Sequence, residues 1–188
     1  LRGQVPRDGT EDGRLILGWV GSHSTTFNLY RIWESLERIF ARHPNLHLRL
    51  LGAGHDASAL PLFERVSYST TPSYTPEEMI REVLRMDIGI FPLFAVENSA
   101  VRGILKALVY MSGEAAVVCS PIGTLTELIR DGENGLLAAS DDEWVEKLDR
   151  LITDLPLRRR LAAAGLETVR AHYSLRRSFE CLRTALEI

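Results

Sequence analysis

The chain has 188 residues, 45% of them hydrophobic, and a formal net charge of −3. That length suits one domain with its own core, or one and a small appendage. The acidic balance argues against a generic nucleic-acid binder, whose phosphate contacts need a cationic surface, and no apolar run nears the ~20 residues that span a bilayer. Residues 1–13 carry Gly, Pro, Asp, Glu and Arg with almost no apolar pattern and read as a linker or frayed end. A first residue that is Leu, not Met, leads us to expect a fragment of a longer chain. Leu15 to Gly21 reads as a first strand. A helix follows with Leu29, Ile32, Trp33, Leu36, Ile39 and Phe40 on one face. His43-Pro44-Asn45 ends it, and Leu46 to Leu51 is a second strand closed by Gly52-Ala53-Gly54.

A loosely patterned segment comes next, with a short helix expected over 56–63 and a weak third strand from Arg65 to Tyr68. Thr75, Pro76 and Glu78 form a capping box that opens a helix with Met79, Ile80, Val83 and Leu84 as its buried stripe. Asp87 to Leu93 is a strand. Then Ile104, Leu105, Leu108, Val109 and Met111 recur at helical spacing, and Gly113 offers a left-handed stop. Ala115-Ala116-Val117-Val118-Cys119 is a short apolar run of the kind buried on both faces of a sheet. Ser120-Pro121-Ile122-Gly123 turns into a short helix from about Thr124, closed by Asp131-Gly132 and Asn134-Gly135. Ser140 and Glu143 make a second capping box before Trp144, Leu148, Leu151 and Ile152. Leu157 to Arg170 is helical, and Ser174 starts a last helix carrying Leu175, Phe179, Leu182 and Leu186. Strand alternating with helix over short connections predicts an α/β fold. It is a Rossmann-like parallel sheet of about six strands with helices on both faces, spanning 14–188.

In such a sheet, ligands bind beside the loops that follow the strands. Three of those loops carry candidate residues. Gly21-Ser22-His23-Ser24-Thr25-Thr26 links the first strand to its helix. Gly21 allows a close backbone approach and Ser22 begins a helix start that can hold an anion; in the structural alternative, Thr25 or Thr26 simply caps the helix. Arg102 and Lys106 stand four apart on one helix face and could meet an anion; the alternative is a solvated face paired with Glu97. Gly123 lets its loop approach a ligand, while Glu127 lies in a first helical turn that favours a carboxylate with or without one. The histidines lack metal-ligand spacing, and Ser120 is not in a G-x-S-x-G elbow. Cys119 and Cys181 read as reduced packing residues of a cytoplasmic protein. Arg158-Arg159-Arg160, with Arg176-Arg177, could touch an anionic membrane surface at the cytoplasmic face, although such runs are more often solvated helix faces.

The order Lys106-x-x-Val109-Tyr110-Met111-Ser112-Gly113, then Val117-Val118-Cys119-Ser120-Pro121-Ile122-Gly123, then Glu127-Leu128-Ile129-x-Asp131-Gly132-x-Asn134-Gly135-Leu136, resembles one known pattern. It is that of the C-terminal, nucleotide-sugar-binding domain of retaining glycosyltransferases with the GT-B fold, family 4 type. The resemblance runs from about Leu15 to Leu186 and is strongest over 102–136. Lys106 falls on a basic position of the family motif. The chain departs where the family usually has an acid, or sometimes Gln, for the ribose, here Val109, and often a second acid for the donor sugar, here Val101. It also lacks the Arg and Lys that many members carry after the first strand.

The resemblance implies a transferase that moves a sugar from a nucleoside-diphosphate sugar to an acceptor hydroxyl, needing no metal or other cofactor. Lys106 and the loop amides at Gly21, Ser22 and Gly123 would stabilise the leaving diphosphate, and Glu97 would accept a hydroxyl of the sugar. An N-terminal acceptor-binding domain of the same parent chain would complete the site, and the C-terminal helix would cross back to it; the isolated domain would be inactive. Two other readings stay open: a GT-B-like binding or partner module that kept the fold and lost the chemistry, and, more weakly, a sugar-nucleotide epimerase of the same architecture.

Overall fold

The computed structural model describes residues 13–54, 66–94 and 103–185, the last without the side chains of Ser178, Cys181, Leu182 and Ala185. The expectations for the helix over 56–63, for Glu97, Val101, Arg102 and Leu186, for the Cys181 side chain and for most of the linker lie outside the described residues. The strands are β1 (Leu15–Val20), β2 (Leu46–Leu51), β3 (Tyr68–Thr71), β4 (Ile88–Phe91), β5 (Ala116–Cys119) and β6 (Leu136–Leu137). All pair in parallel, in the order β3-β2-β1-β4-β5-β6. That order reverses direction between β1 and β4, as in doubly wound nucleotide-binding sheets.

The two faces are filled by alternation along each strand. Leu17, Trp19, Leu48, Leu50, Ile88, Ile90, Ala116 and Val118 point into one core, against a 3₁₀ stretch at His23–Ile32, α1 (Trp33–Arg42) and α5 (Asp141–Thr153). Ile16, Val20, Phe91, Val117 and Cys119 point into the other, against α2 (Pro76–Val83), α3 (Leu105–Ser112) and α4 (Leu125–Leu128). Strands covered on both sides have no polar face to show, which is why β4 and β5 read as unbroken apolar runs. Then come α6 (Leu155–His172) and α7 (Leu175–Ala185). α6 sends Leu161 and Ala162 into the first core and passes Met111 of α3 at Gly165.

Both expected capping boxes form. Thr75 Oγ1 accepts from Glu78 N at 3.2 Å while Glu78 takes Thr75 N at 2.7 Å, and Ser140 and Glu143 repeat the exchange. Several expectations are corrected. The third strand occupies Tyr68–Thr71, beginning where the weak apolar signal ended, because it pairs with β2 from Leu48 to Leu51. On α2, Ile80 is 47% exposed, and on α3, Leu105 is 70% exposed. Only one side of each helix meets the sheet, so Ala107, Tyr110 and Met111 are the residues of α3 that are fully buried. The left-handed residue at the end of α3 is Glu114 (φ 57), whereas Gly113 has φ −82. Gly113 is small for another reason: a Cβ there would fall 2.6 Å from Val83 Cγ1. The cap of the stretch after β1 is Ser22, not Thr25 or Thr26.

Candidate functional site

The site is built where β1 and β4 separate. After β1 the chain turns through Gly21, whose N–H continues the ladder to Leu51 O at 2.9 Å and whose carbonyl accepts from the Tyr74 hydroxyl at 3.2 Å. A Cβ on Gly21 would meet the Trp19 indole at 2.0 Å, so only a glycine lets the loop lie over that ring. Ser22 is exposed, and its N–H donates to Thr25 Oγ1 at 3.0 Å. Thr26 ties the loop to its neighbour through Ala53 O at 3.2 Å. Asn28, buried, donates to Thr25 O and accepts from Phe94 N at 3.3 Å, joining this stretch to the exit of β4.

Lys106 enters from the other side. It lies in the first turn of α3, and its Nζ donates to Thr25 Oγ1 at 3.2 Å. The ammonium also stands 5.2 Å from the centroid of the Trp19 ring and 5.4 Å from that of Phe91. These distances are those of cation–π contacts, worth about 0.5–2 kcal/mol each according to solvation. Trp19 belongs to one core and Phe91 to the other. The ammonium therefore sits over the rim itself, between the two faces of the sheet.

One turn further along α3, Tyr110 is completely buried. Its hydroxyl accepts from Val20 N at 2.6 Å and donates to Ile90 O at 3.2 Å. Burial, the largest influence, pushes its pKa far up, so the phenol stays neutral. The third loop follows β5. Ser120 N donates to Phe91 O at 3.1 Å and Ser120 Oγ accepts from Leu93 N at 3.0 Å, so this serine secures the exits of β4 and β5 to each other. Gly123 is left-handed (φ 57), a conformation that favours glycine. Glu127 is exposed on α4. The Cys119 thiol is buried and pushed up in pKa by that burial, which leaves it an inert packing group.

The structure thus joins Ser22 and Lys106 through Thr25, with Gly21 beside Ser22 in the loop, and sets Gly123 on the loop after β5 and Glu127 on α4. It also shows partners that the sequence reading did not assign to the site: Trp19, Asn28, Phe91 and Tyr110. In the sequence, Tyr110 stood out only as a member of the family motif, and Asn28 carried no signal of its own. Val109, at the position of the family's ribose acid, lines an apolar cleft between α2 and α3 with Met79, Ile80, Val83 and Leu84. Asn134, in the turn that closes the unit, is buried and structural: it accepts from Arg130 N at 2.8 Å and donates to Leu128 O at 3.0 Å.

A doubly wound parallel sheet with a cation held over its switch point defines a Rossmann-type α/β protein, a class whose ligands bind at that crevice. The sequence model of the family described as glycosyl transferases group 1 matches residues 14–154, and the chain belongs to that family. A D-inositol 3-phosphate glycosyltransferase of Stackebrandtia nassauensis is 43% identical over 65 residues, covering 34% of this chain and 15% of that protein. This chain therefore corresponds to a small part of that curated relative. Among solved structures, the C-terminal domain of the group 1 glycosyl transferase LpcC from Francisella tularensis superposes with a TM-score of 0.69 at 20% identity, over 92% of this chain and 95% of that one. HepE of Anabaena, solved with UDP and glucose, superposes at 0.70 and 15% identity, over 93% of this chain and 48% of that one. At these identities the superpositions establish the fold, a Rossmann-like half of the GT-B type.

Proposed function

We propose that this chain is the C-terminal, donor-binding domain of a family 4 type GT-B glycosyltransferase. It would hold a nucleoside-diphosphate sugar while the glycosyl unit passes to an acceptor hydroxyl. The carrying observation is the Lys106 ammonium, 3.2 Å from Thr25 Oγ1 at the mouth between β1 and β4. A leaving diphosphate gathers negative charge as the glycosidic bond breaks, and a cation fixed beforehand at the rim stabilises that charge without reorganising. Gly21, Ser22 and Gly123 would supply backbone at the same rim, while Arg102 would add a second positive charge and Glu97 would accept a hydroxyl of the sugar. Glu127 would address the sugar from α4. The relatives support the class: one carries a glycosyltransferase name and others are solved with UDP and glucose.

The acceptor would be held by an N-terminal domain of the parent chain, and the domain alone would bind donor without turning it over. Exposed Leu175 and Phe179 on α7 (91% and 67% exposed) suit a helix that crosses to such a domain. A cytoplasmic location, with contact to an anionic membrane face through Arg158-Arg159-Arg160 and Arg176-Arg177, belongs to the same proposal. No helix among the described residues is long and apolar enough to cross a membrane.

One observation favours a second reading, a module that keeps the fold without the chemistry. Val109 faces apolar side chains where a ribose-binding acid would stand. Titration calorimetry with UDP, GDP and ADP decides between them. Saturable binding of one diphosphate supports the donor domain; no heat from any of the three removes it and leaves the partner module.

A further inference from the structure

β1 and β4 are in register only at Leu17↔Ile88 and Gly18↔Gly89. Beyond those pairs the strands part, and the Tyr110 hydroxyl stands in the gap. It takes the Val20 N–H from one strand and gives its own proton to the Ile90 carbonyl of the other. The ring that carries it occupies the space of a missing side chain: a Cβ on Gly89 would fall 2.4 Å from Tyr110 Cγ. A direct rung between Val20 and Ile90 is thereby replaced by a longer one made of N–H, phenol and carbonyl. Each backbone group in this buried place keeps a partner, which an open gap would deny it at a cost of roughly 1–3 kcal/mol per group. Because one oxygen accepts and donates at once, the rung needs the neutral phenol, and burial keeps it neutral.

We propose that Tyr110 is a positioning residue of the donor site: it props β1 and β4 apart at the switch point and sets Lys106, one helical turn away, over the opening. This rests on the reading of Lys106 as the diphosphate cation. Residues four apart share a helix face, so fixing Tyr110 between the strands fixes the rotation of α3 and directs Lys106 to the same gap. The ammonium accordingly has one aromatic ring from each of the two strands beside it, Trp19 from β1 and Phe91 from β4. Loss of the hydroxyl leaves Val20 N–H and Ile90 O to approach each other or to take in water. Either change alters the width of the crevice and the seat of the ammonium.

The test is Tyr110→Phe, made in protein labelled with 5-fluorotryptophan and examined with and without UDP. In the free protein the Val20 amide should exchange at least ~10-fold faster, the loss of about one hydrogen bond, while the Leu17 amide is unaffected. The fluorine signal of Trp19 should move, with those of Trp33 and Trp144 in place. UDP should bind ~10-fold more weakly, the equivalent of that same lost bond. Unchanged Val20 exchange and an unchanged Trp19 signal would overturn the inference whatever happens to UDP. Changes in the free protein with wild-type affinity for UDP would also overturn it, since the rung would then be structural alone. If the variant is too unstable to purify, hydrogen exchange of the wild type serves: selective extra protection of Val20 by UDP supports the prop, and none overturns it. Failure of the donor-site reading itself shows separately, as a wild type that binds no nucleoside diphosphate and so leaves Tyr110 nothing to position.

Discussion

Lys106 and Thr25 are 81 residues apart in the chain, and their side chains meet at 3.2 Å across the mouth of the sheet. The contact brings the helix after β4 against the loop after β1, at a place where neighbouring strands of the sheet feed helices on opposite faces. A cation in that position is partly desolvated by Trp19 and Phe91, so its interaction with an anion is stronger than on an open surface. Replacing it by Lys106→Met keeps the stem over the rings and removes the charge. UDP affinity, measured by calorimetry, should fall about 10- to 100-fold, the range for one charge-assisted hydrogen bond. Added salt should weaken the wild type more than the variant. Equal affinities would remove Lys106 from the site.

The end of α3 gives a prediction about stability. Gly113→Ala puts a methyl group 2.6 Å from Val83 Cγ1, and the packing of α3 on α2 has to shift. Urea denaturation should show a loss of about 1–3 kcal/mol. Glu114→Gly acts on the neighbouring residue, which has φ 57. A side chain in that region costs about 1–2 kcal/mol, against about 0.5–1 kcal/mol for the extra freedom of an unfolded glycine. The second variant should therefore be no less stable than the wild type, and the first clearly less so. The opposite order would return the left-handed role to Gly113.

Acid should loosen the start of α5. The Glu143 carboxylate takes N–H from Ala139 and then from Ser140, and these bonds hold its pKa below the ordinary 4.5. A depressed carboxylate contributes stability above its unfolded value, and the contribution disappears as pH falls through the folded one. Between about pH 5 and pH 3 the wild type should lose stability more steeply than Glu143→Gln, whose side chain does not titrate. Glu78 at the start of α2, held low first by the Thr75 backbone, shares the same sign. Thermal denaturation across that range checks the slope; parallel curves would show that the cap is indifferent to charge. Ser140→Ala, which removes the other half of the box, should cost about 0.5–2 kcal/mol at neutral pH.

Much of the architecture was legible because its signals are local. Leu46 to Leu51 is apolar at four of its six positions and Ala116 to Cys119 is apolar throughout, as strands largely covered on both sides are. Thr75 with Glu78 and Ser140 with Glu143 specify helix starts by side-chain geometry within four residues. The third strand was misplaced because Tyr68-Ser69-Thr70-Thr71 has little apolar content of its own; its place is settled by pairing with Leu48 to Leu51. β6 escaped notice because two residues, Leu136 and Leu137, carry no period at all. Leu105 and Ile80 fit the helical spacing, yet they face outward, since a spacing rule cannot say where on the cylinder the sheet touches.

The candidate site divides in the same way. Lys106, Gly21, Ser22, Gly123 and Glu127 could be named from short motifs and from their positions after strands. Their joining could not, because Thr25 reaches Lys106 only once β4 has been laid beside β1, and Asn28 reaches Phe94 only then. Tyr110 looked like one more residue between apolar neighbours. The order of amino acids alone determined most of the strands and helices, where the helices with capping boxes begin, and that the sheet is parallel and covered on both faces, since those follow from period, capping and burial within a few residues. Only the folded chain decided that β1 and β4 part after Gly18 and Gly89, that a phenol fills the gap, and that an ammonium stands over it between two rings. Those are contacts across the chain, and a buried hydrogen bond or a cation over a ring exists only at the distance that tertiary packing sets.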